Sequence, residues 1–231
     1  MGLGFVLGLR HALDPDHVVA VSTIVSESRS LRQSSLAGTS WGLGHTAALL
    51  AAGLMIIGLK LTISPRVALW LESGVAVMLI FLGAKAVRAA LRGLRLHRHI
   101  HTHDGREHAH WHLHLASKEE TPHQHRHSAL RAQPFLVGLV HGFAGSAALT
   151  ILVLGTIPST VAGLAYVAVF GLGSTGGMLL MSSLISLPFV WTAGRARVLT
   201  QSLQMLVGLG SMGFGAFLSW QYGLQHLALL R

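Results

Sequence analysis

Residues 10–17 read Arg-His-Ala-Leu-Asp-Pro-Asp-His inside an otherwise apolar N-terminal stretch. The segment brings one Arg, two Asp and two His into what reads as a membrane span. A charge at the centre of a spanning helix costs at least ~2.5–3.5 kcal/mol on the insertion scale, so a cluster of this kind signals function. Imidazole nitrogen and carboxylate oxygen together suit a borderline divalent cation. On a regular helix, at about 100° per residue, His11, Asp14 and His17 share one face and Asp16 points away. Pro15 has no N–H to give the carbonyl of His11, so the spacing predicts a broken or kinked helix. A break would free backbone carbonyls for a cation and could turn Asp16 toward the same cavity. Arg10, four residues before Asp14, is expected to balance its charge when no metal is bound.

Two further histidines stand in apolar segments. His45 lies in Gly44-His45-Thr46, and His141 in VHGFAGSAAL, which holds no carboxylate. A lone helical histidine is more often packed than ligating. Both nevertheless join His11, Asp14, Asp16 and His17 as candidate metal residues. Glu72, early in another apolar segment, is either a cation-attracting entrance charge or an interfacial one. Ser174, Thr175, Gly176 and Gly177 read as small-residue helix packing, and Met178 and Met181 as core fillers. The chain has no cysteine. That removes disulfides, thiolate metal sites and a cysteine nucleophile, and it disfavours copper(I).

A different concentration of ligands lies between residues 97 and 127. His97, His99, His101, His103, His108, His110, His112, His114, His123, His125 and His127 account for 11 of the 16 histidines. Neutral imidazoles bind nickel, cobalt, zinc and copper(II). Closely spaced repeats of them suit adaptable metal capture rather than one fixed geometry. The stretch is polar and low in complexity, so it is expected to be disordered without metal. The competing reading is a basic, pH-responsive linker.

The elements that must hold these residues follow from composition. Of 231 residues, 51% are hydrophobic and 11% charged, against about 25% charged in soluble domains. Residues 33–59, 132–194 and 198–230 contain no Asp, Glu, Lys or Arg. The chain therefore reads as an all-α polytopic membrane protein. Six spans of roughly 20 apolar residues are expected at about 3–25, 36–59, 67–90, 134–156, 161–189 and 198–222. Six spans leave both termini on one side, with Lys60, Arg66 and Arg231. Thirteen Lys and Arg fall on the other, Arg29, Arg32, Lys85 and Arg195 among them. The positive-inside rule then puts the His-rich loop in the cytoplasm and both termini outside. The net charge of +9 thus reads as membrane orientation, with no nucleic-acid partner. MGLGFVLGL lacks the basic start of a cleavable signal.

The chain also repeats. FVLGLRH at 5–11 matches FLVGLVH at 135–141, and WGLGHT at 41–46 matches FGLGST at 170–175, at offsets of 130 and 129. Three spans per half force opposite insertion of the halves, an arrangement typical of secondary transporters with a midplane site. The expected units are a first membrane repeat (1–90), a cytoplasmic His-rich loop (91–133) and a second membrane repeat (134–231).

The segment RHALDPDH, with His11, Asp16 and His17 spaced as His, four residues, Asp, His, resembles the signature of the nickel/cobalt transporter family. Gly44-His45-Thr46 resembles that family's next motif. The resemblance implies a membrane permease for Ni(2+) or Co(2+), carried as substrate with no permanently bound cofactor, and with His11, Asp16, His17 and His45 at or near the metal. Family members usually carry the signature in the second of eight spans and have Asp-Thr pairs in later motifs. Here it lies in the first span, and the corresponding stretches VHGFAGSAAL and GSTGGML lack acid. That pattern is more similar to the compact UreH-type branch, associated with nickel supply to urease. Metallochaperones and urease or hydrogenase maturation proteins are then candidate partners, in a bacterial inner membrane. The expected function is secondary nickel or cobalt uptake, not enzymatic; no Walker motif is present. Two alternatives use the same residues: metal efflux loaded by the cytoplasmic histidines, and an intramembrane metalloenzyme. An organic-anion exporter anchored by Arg10 is disfavoured by the two neighbouring Asp residues.

Overall fold

The computed structural model describes residues 1–59, 64–93, 95–103, 106–114, 129–144, 159–193 and 195–228. Within them the helices are α1 (Gly2–His11), α2 (Pro15–Val25), α3 (Leu31–Leu59), α4 (Pro65–Gly93), α5 (Ala129–Ala144), α6 (Thr160–Thr192) and α7 (Arg197–Ala228). Two strands, β1 (Arg95–His103) and β2 (Arg106–His114), lie between α4 and α5. Among the described residues, three helices are long and apolar enough to cross a membrane: Pro65–Arg92, Thr160–Thr192 and Arg197–Ala228. Lys60, Lys118, Arg126, Arg231, His123, His125, His127 and the later part of the fourth expected span (145–156) lie outside the described residues.

The first expected span is two short helices, and the local sequence explains the break. Ala12 closes α1 onto Gly8, and Asp14 turns to φ −60°, ψ 142° as the N-cap of α2. Pro15 then occupies the first position of α2, where its missing N–H costs nothing. One expectation fails here. The carbonyl of His11 is not free for a cation, because Asp14 N–H donates to it at 3.1 Å. A tight i→i+3 turn satisfies the helix end before Pro15 could strand it.

Helix α2 runs through the middle of the bundle, touching α4, α6 and α7. Around it α3 packs along α6 and α5, α1 along α6, and α4 along α7. The core cluster joins Val21 and Val25 of α2 to Trp41, Leu79, Met178 and Phe189. Trp70, Phe81, Leu180, Trp191 and Trp220 are exposed. Ser182, Ser186 and Thr192 are buried, their hydroxyls donating to carbonyls one turn back. Buried serine and threonine together with large apolar side chains on the outer surface suit a lipid surround, where close backbone approach contributes more than water exclusion to holding helices together.

Glycine makes that approach. Gly8 faces the carbonyl of Phe170, and Gly138 that of Trp41. Gly173 faces the carbonyl of Phe5, and Gly44 that of Phe135. Gly42 meets Thr175, and Gly171 meets Thr46. Gly83 meets Gly208 and Met212, and Gly215 meets Ala76 and Ile80. Each contact recurs in its partner with the numbers shifted by 129 to 132. Thr46 and Thr175, themselves 129 apart, share a 3.1 Å hydrogen bond where α3 and α6 cross.

The described parts of the His-rich stretch, 95–103 and 106–114, depart from the expectation of disorder. β1 and β2 pair antiparallel, with His97 opposite His112, His99 opposite His110 and His101 opposite His108. Histidine at every second position gives the segment the two-residue period of a strand, a pattern that composition alone conceals. Among the described residues, every regular element except this ribbon is a helix.

Candidate metal centre

The break between α1 and α2 assembles the site. His11 ends α1, and Asp16 and His17 open the first turn of α2. His45 comes from the middle of α3 and His141 from the last turn of α5. Four imidazoles from four helices converge: the His17 ring centroid lies 4.6 Å from His11, 5.3 Å from His45 and 4.1 Å from His141. His17, His45 and His141 are buried, and His11 nearly so.

Two carboxylates hold three of these rings. His11 Nδ1 lies 2.8 Å from Asp14 Oδ2. Asp16 spans two rings, with Oδ1 3.1 Å from His17 Nδ1 and Oδ2 2.9 Å from His141 Nε2. The backbone N–H of His17 also donates to Asp16 Oδ1, at 2.9 Å. A neutral imidazole that gives its one N–H to a carboxylate turns the lone pair of its other nitrogen outward. Those other nitrogens, His11 Nε2, His17 Nε2 and His141 Nδ1, are buried without a hydrogen-bond partner. Buried polar atoms are normally satisfied, and a buried imidazole lone pair left without a partner suits a cation. The ligand atoms form two groups, His11/His17/His45 and Asp16/His17/His141, each within 4.8 Å. Ligand nitrogens about 2.1 Å from a metal sit up to ~4.2 Å apart, so each group needs only a small contraction to close on an ion.

His11, Asp14, Asp16, His17, His45 and His141 lie close together, but their parts differ. Asp16 reaches the site despite its position on an ideal helix, because the chain restarts at Pro15. Asp14 touches His11 and belongs to neither ligand group. Arg10 is exposed and makes no ion pair with Asp14 among the described residues. Their spacing of four would align them only on a continuous helix, and α1 ends between them. Glu72 lies apart, lining an open groove with Gln225 between α4 and α7. His226 packs on Trp70, ring centroids 4.7 Å apart.

Two residues escaped the sequence reading. Trp41 is buried and stacks on His17, centroids 5.4 Å apart, closing one wall of the site. Only its place one turn before His45 could have drawn attention to it. Ser174 is fully buried with its hydroxyl unpartnered, and its backbone sits against Gly8, one turn from His11. It stands 129 residues after His45, so the repeat offset was the available signal; the packing reading overlooked the hydroxyl.

Since Asp14 contacts His11 Nδ1 and stands in neither ligand group, Asp14→Asn should weaken metal affinity by about 10- to 100-fold, the range for lost outer-shell partners of metal-binding histidines. Equilibrium nickel binding to the purified chain measures this. An unchanged affinity would remove Asp14 from the site.

A family model described as high-affinity nickel-transport protein matches residues 1–206. Urease accessory protein UreH from Bacillus sp. (strain TB-90) is 38% identical over 221 residues, covering 96% of this chain and 90% of that protein. Chloroplast proteins FOR GROWTH AND FERTILITY 1 and 2 of Arabidopsis thaliana are each 26% identical. Both alignments cover 76% of this chain, but only 46% and 44% of the plant proteins. No solved structure matches. Taken with the long apolar helices, these similarities make the protein an integral membrane protein. The motif spacing pointed to nickel/cobalt transporters, and the family match covers both the signature segment and the second half as far as residue 206: the chain belongs to the NicO family of high-affinity nickel-transport proteins.

Proposed function

We propose that the protein is a secondary permease that carries Ni(2+), or Co(2+), as substrate through the His/Asp cluster, and that it is not an enzyme. The observation that carries this reading is the pair of three-residue ligand groups sharing His17 at the break between α1 and α2. An ion held by His11, His17 and His45 stands beside the Asp16, His17 and His141 group, with His17 common to both. Neither group needs to bind so tightly that release becomes slow. Imidazole-rich coordination favours nickel and cobalt over magnesium and calcium, which prefer oxygen.

We read the membrane part as six spans in two inverted halves, residues 1–90 and 134–231, joined by the segment 91–133. The exchange of glycine contacts under a shift of 129 to 132 residues supports this. In such folds the halves rock about a fixed midplane site. The Lys and Arg distribution supports a cytoplasmic 91–133 segment with both termini outside. There His97 to His127 would capture or buffer metal on the cytoplasmic side. The UreH relative's name suggests urease maturation proteins as recipients of the nickel.

Cells expressing the chain should accumulate isotope-labelled nickel above cells carrying an empty vector, with excess unlabelled cobalt competing. A fall in cell nickel would reverse the direction to efflux. No change at a verified membrane level would sink the permease reading.

A further inference from the structure

A cavity of about 210 Å³ opens between α2, α3, α4 and α5, lined on its polar side by Thr23, Glu27, Ser28, Gln33, Lys85 and Gln133. Glu27 lies just past the end of α2, eleven residues after Asp16, which is roughly 16 Å along the helix. On the permease reading, the cavity stands at one mouth of the route to the His/Asp cluster. Gln133 belongs to α5, which follows the His-rich segment in sequence. Lys85 Nζ stands 3.5 Å from Glu27 Oε2 and donates to Gln133 Oε1 at 3.1 Å.

We propose that this cavity is a staging site for a hydrated divalent cation, with Glu27 as its anion and Lys85 as a built-in counter-cation that the metal displaces. The proposal rests on the transport reading above. Three features support it. At about 30 Å³ per water the volume holds roughly seven waters, enough for an ion with an octahedral water shell. The polar side chains that line it offer amide and hydroxyl oxygens and one carboxylate but no imidazole. They suit a hydrated ion by hydrogen bonds to its waters, whereas the nitrogen-rich centre suits one that has shed them. Finally, both members of the Glu27–Lys85 pair are more than a third exposed, and exposed pairs contribute only ~0.2–1 kcal/mol. A dication can displace such a lysine, while in its absence Lys85 keeps the carboxylate neutralised and the mouth unattractive to stray cations.

The test uses the full chain in lipid nanodiscs. Lys85 is labelled with an amine-acylating reagent, with and without nickel chloride, and read by peptide mass. Nickel should raise Lys85 labelling in the wild type and equally in His17→Ala, whose central site is disabled. In Glu27→Gln, labelling should be high and indifferent to nickel. No nickel response in the wild type, or a response lost in His17→Ala, would overturn the staging site. In reconstituted vesicles with nickel supplied on the His-rich side, Lys85→Gln should lower the apparent KM and Glu27→Gln raise it. Each shift should be about 1.4- to 5-fold, the equivalent of an exposed ion pair. Unchanged KM in both variants would take the cavity off the route. A nickel response in labelling combined with no flux in the wild type would leave the cation site standing and defeat the permease reading instead.

Discussion

His17→Ala is expected to abolish nickel transport, with the largest loss of any single substitution in the centre. His17 belongs to both ligand groups, and its ring lies within 5.3 Å of the other three histidine rings. Removing it opens both positions at once, and it leaves one oxygen of Asp16 without its imidazole partner. Loss of an outer-shell partner alone costs about 10- to 100-fold in metal affinity, so loss of a shared ligand should exceed that range. By the same logic His45→Ala and His141→Ala should each damage one position and leave residual binding. Labelled-nickel flux, normalised to protein in the membrane, gives the ranking. Flux in His17→Ala equal to that in His45→Ala would show that the two groups do not share a pivot.

The second large effect concerns the helix crossings. A Cβ at Gly138 would collide with the carbonyl and ring of Trp41, and one at Gly83 with the carbonyl of Gly208 and the backbone of Met212. Backbone cannot yield as a flexible side chain can, so Gly138→Val and Gly83→Val should each cost about 1–3 kcal/mol or more. In a protein of this size that lowers the thermal midpoint by roughly 2–12 °C. Gly210 and Gly213, on the same helix as Gly208, have open space where a Cβ would stand, with nothing within 4 Å. Gly213→Ala should leave the midpoint unchanged or raise it slightly, since alanine is the better helix former. Thermal unfolding of detergent-solubilised protein, followed by size-exclusion chromatography, separates the two classes. Equal tolerance of both would mean that glycine contacts do not hold the bundle together.

The legible and illegible parts of the sequence divide along physical lines. Membrane character was plain because it depends on composition: long uncharged stretches have no other stable home. The metal cluster was legible as residue types, since His and Asp in an apolar segment are too costly to be incidental. The break at Pro15 was legible because the missing N–H is a local property. The consequence for the His11 carbonyl was misread, because a turn of three residues satisfied it. The pairing of Arg10 with Asp14 was misread for a related reason: helical spacing does not cross a helix end. The ribbon in the His-rich stretch was hidden by reading composition before period.

The sequence by itself determined that this is a membrane protein, that its apolar segments carry a cluster of imidazoles and carboxylates, and that two pairs of its segments echo each other. Those properties reside in residue type, local spacing and offset, which need no third dimension. Only the tertiary structure decided the division of labour within the centre. His17 is shared, Asp16 bridges two rings, Asp14 orients His11, and His141 joins from a helix more than a hundred residues away. These roles depend on which ring nitrogen faces which oxygen across α1, α2, α3 and α5. That geometry is set by glycine-mediated backbone contacts between helices, which no single helix encodes.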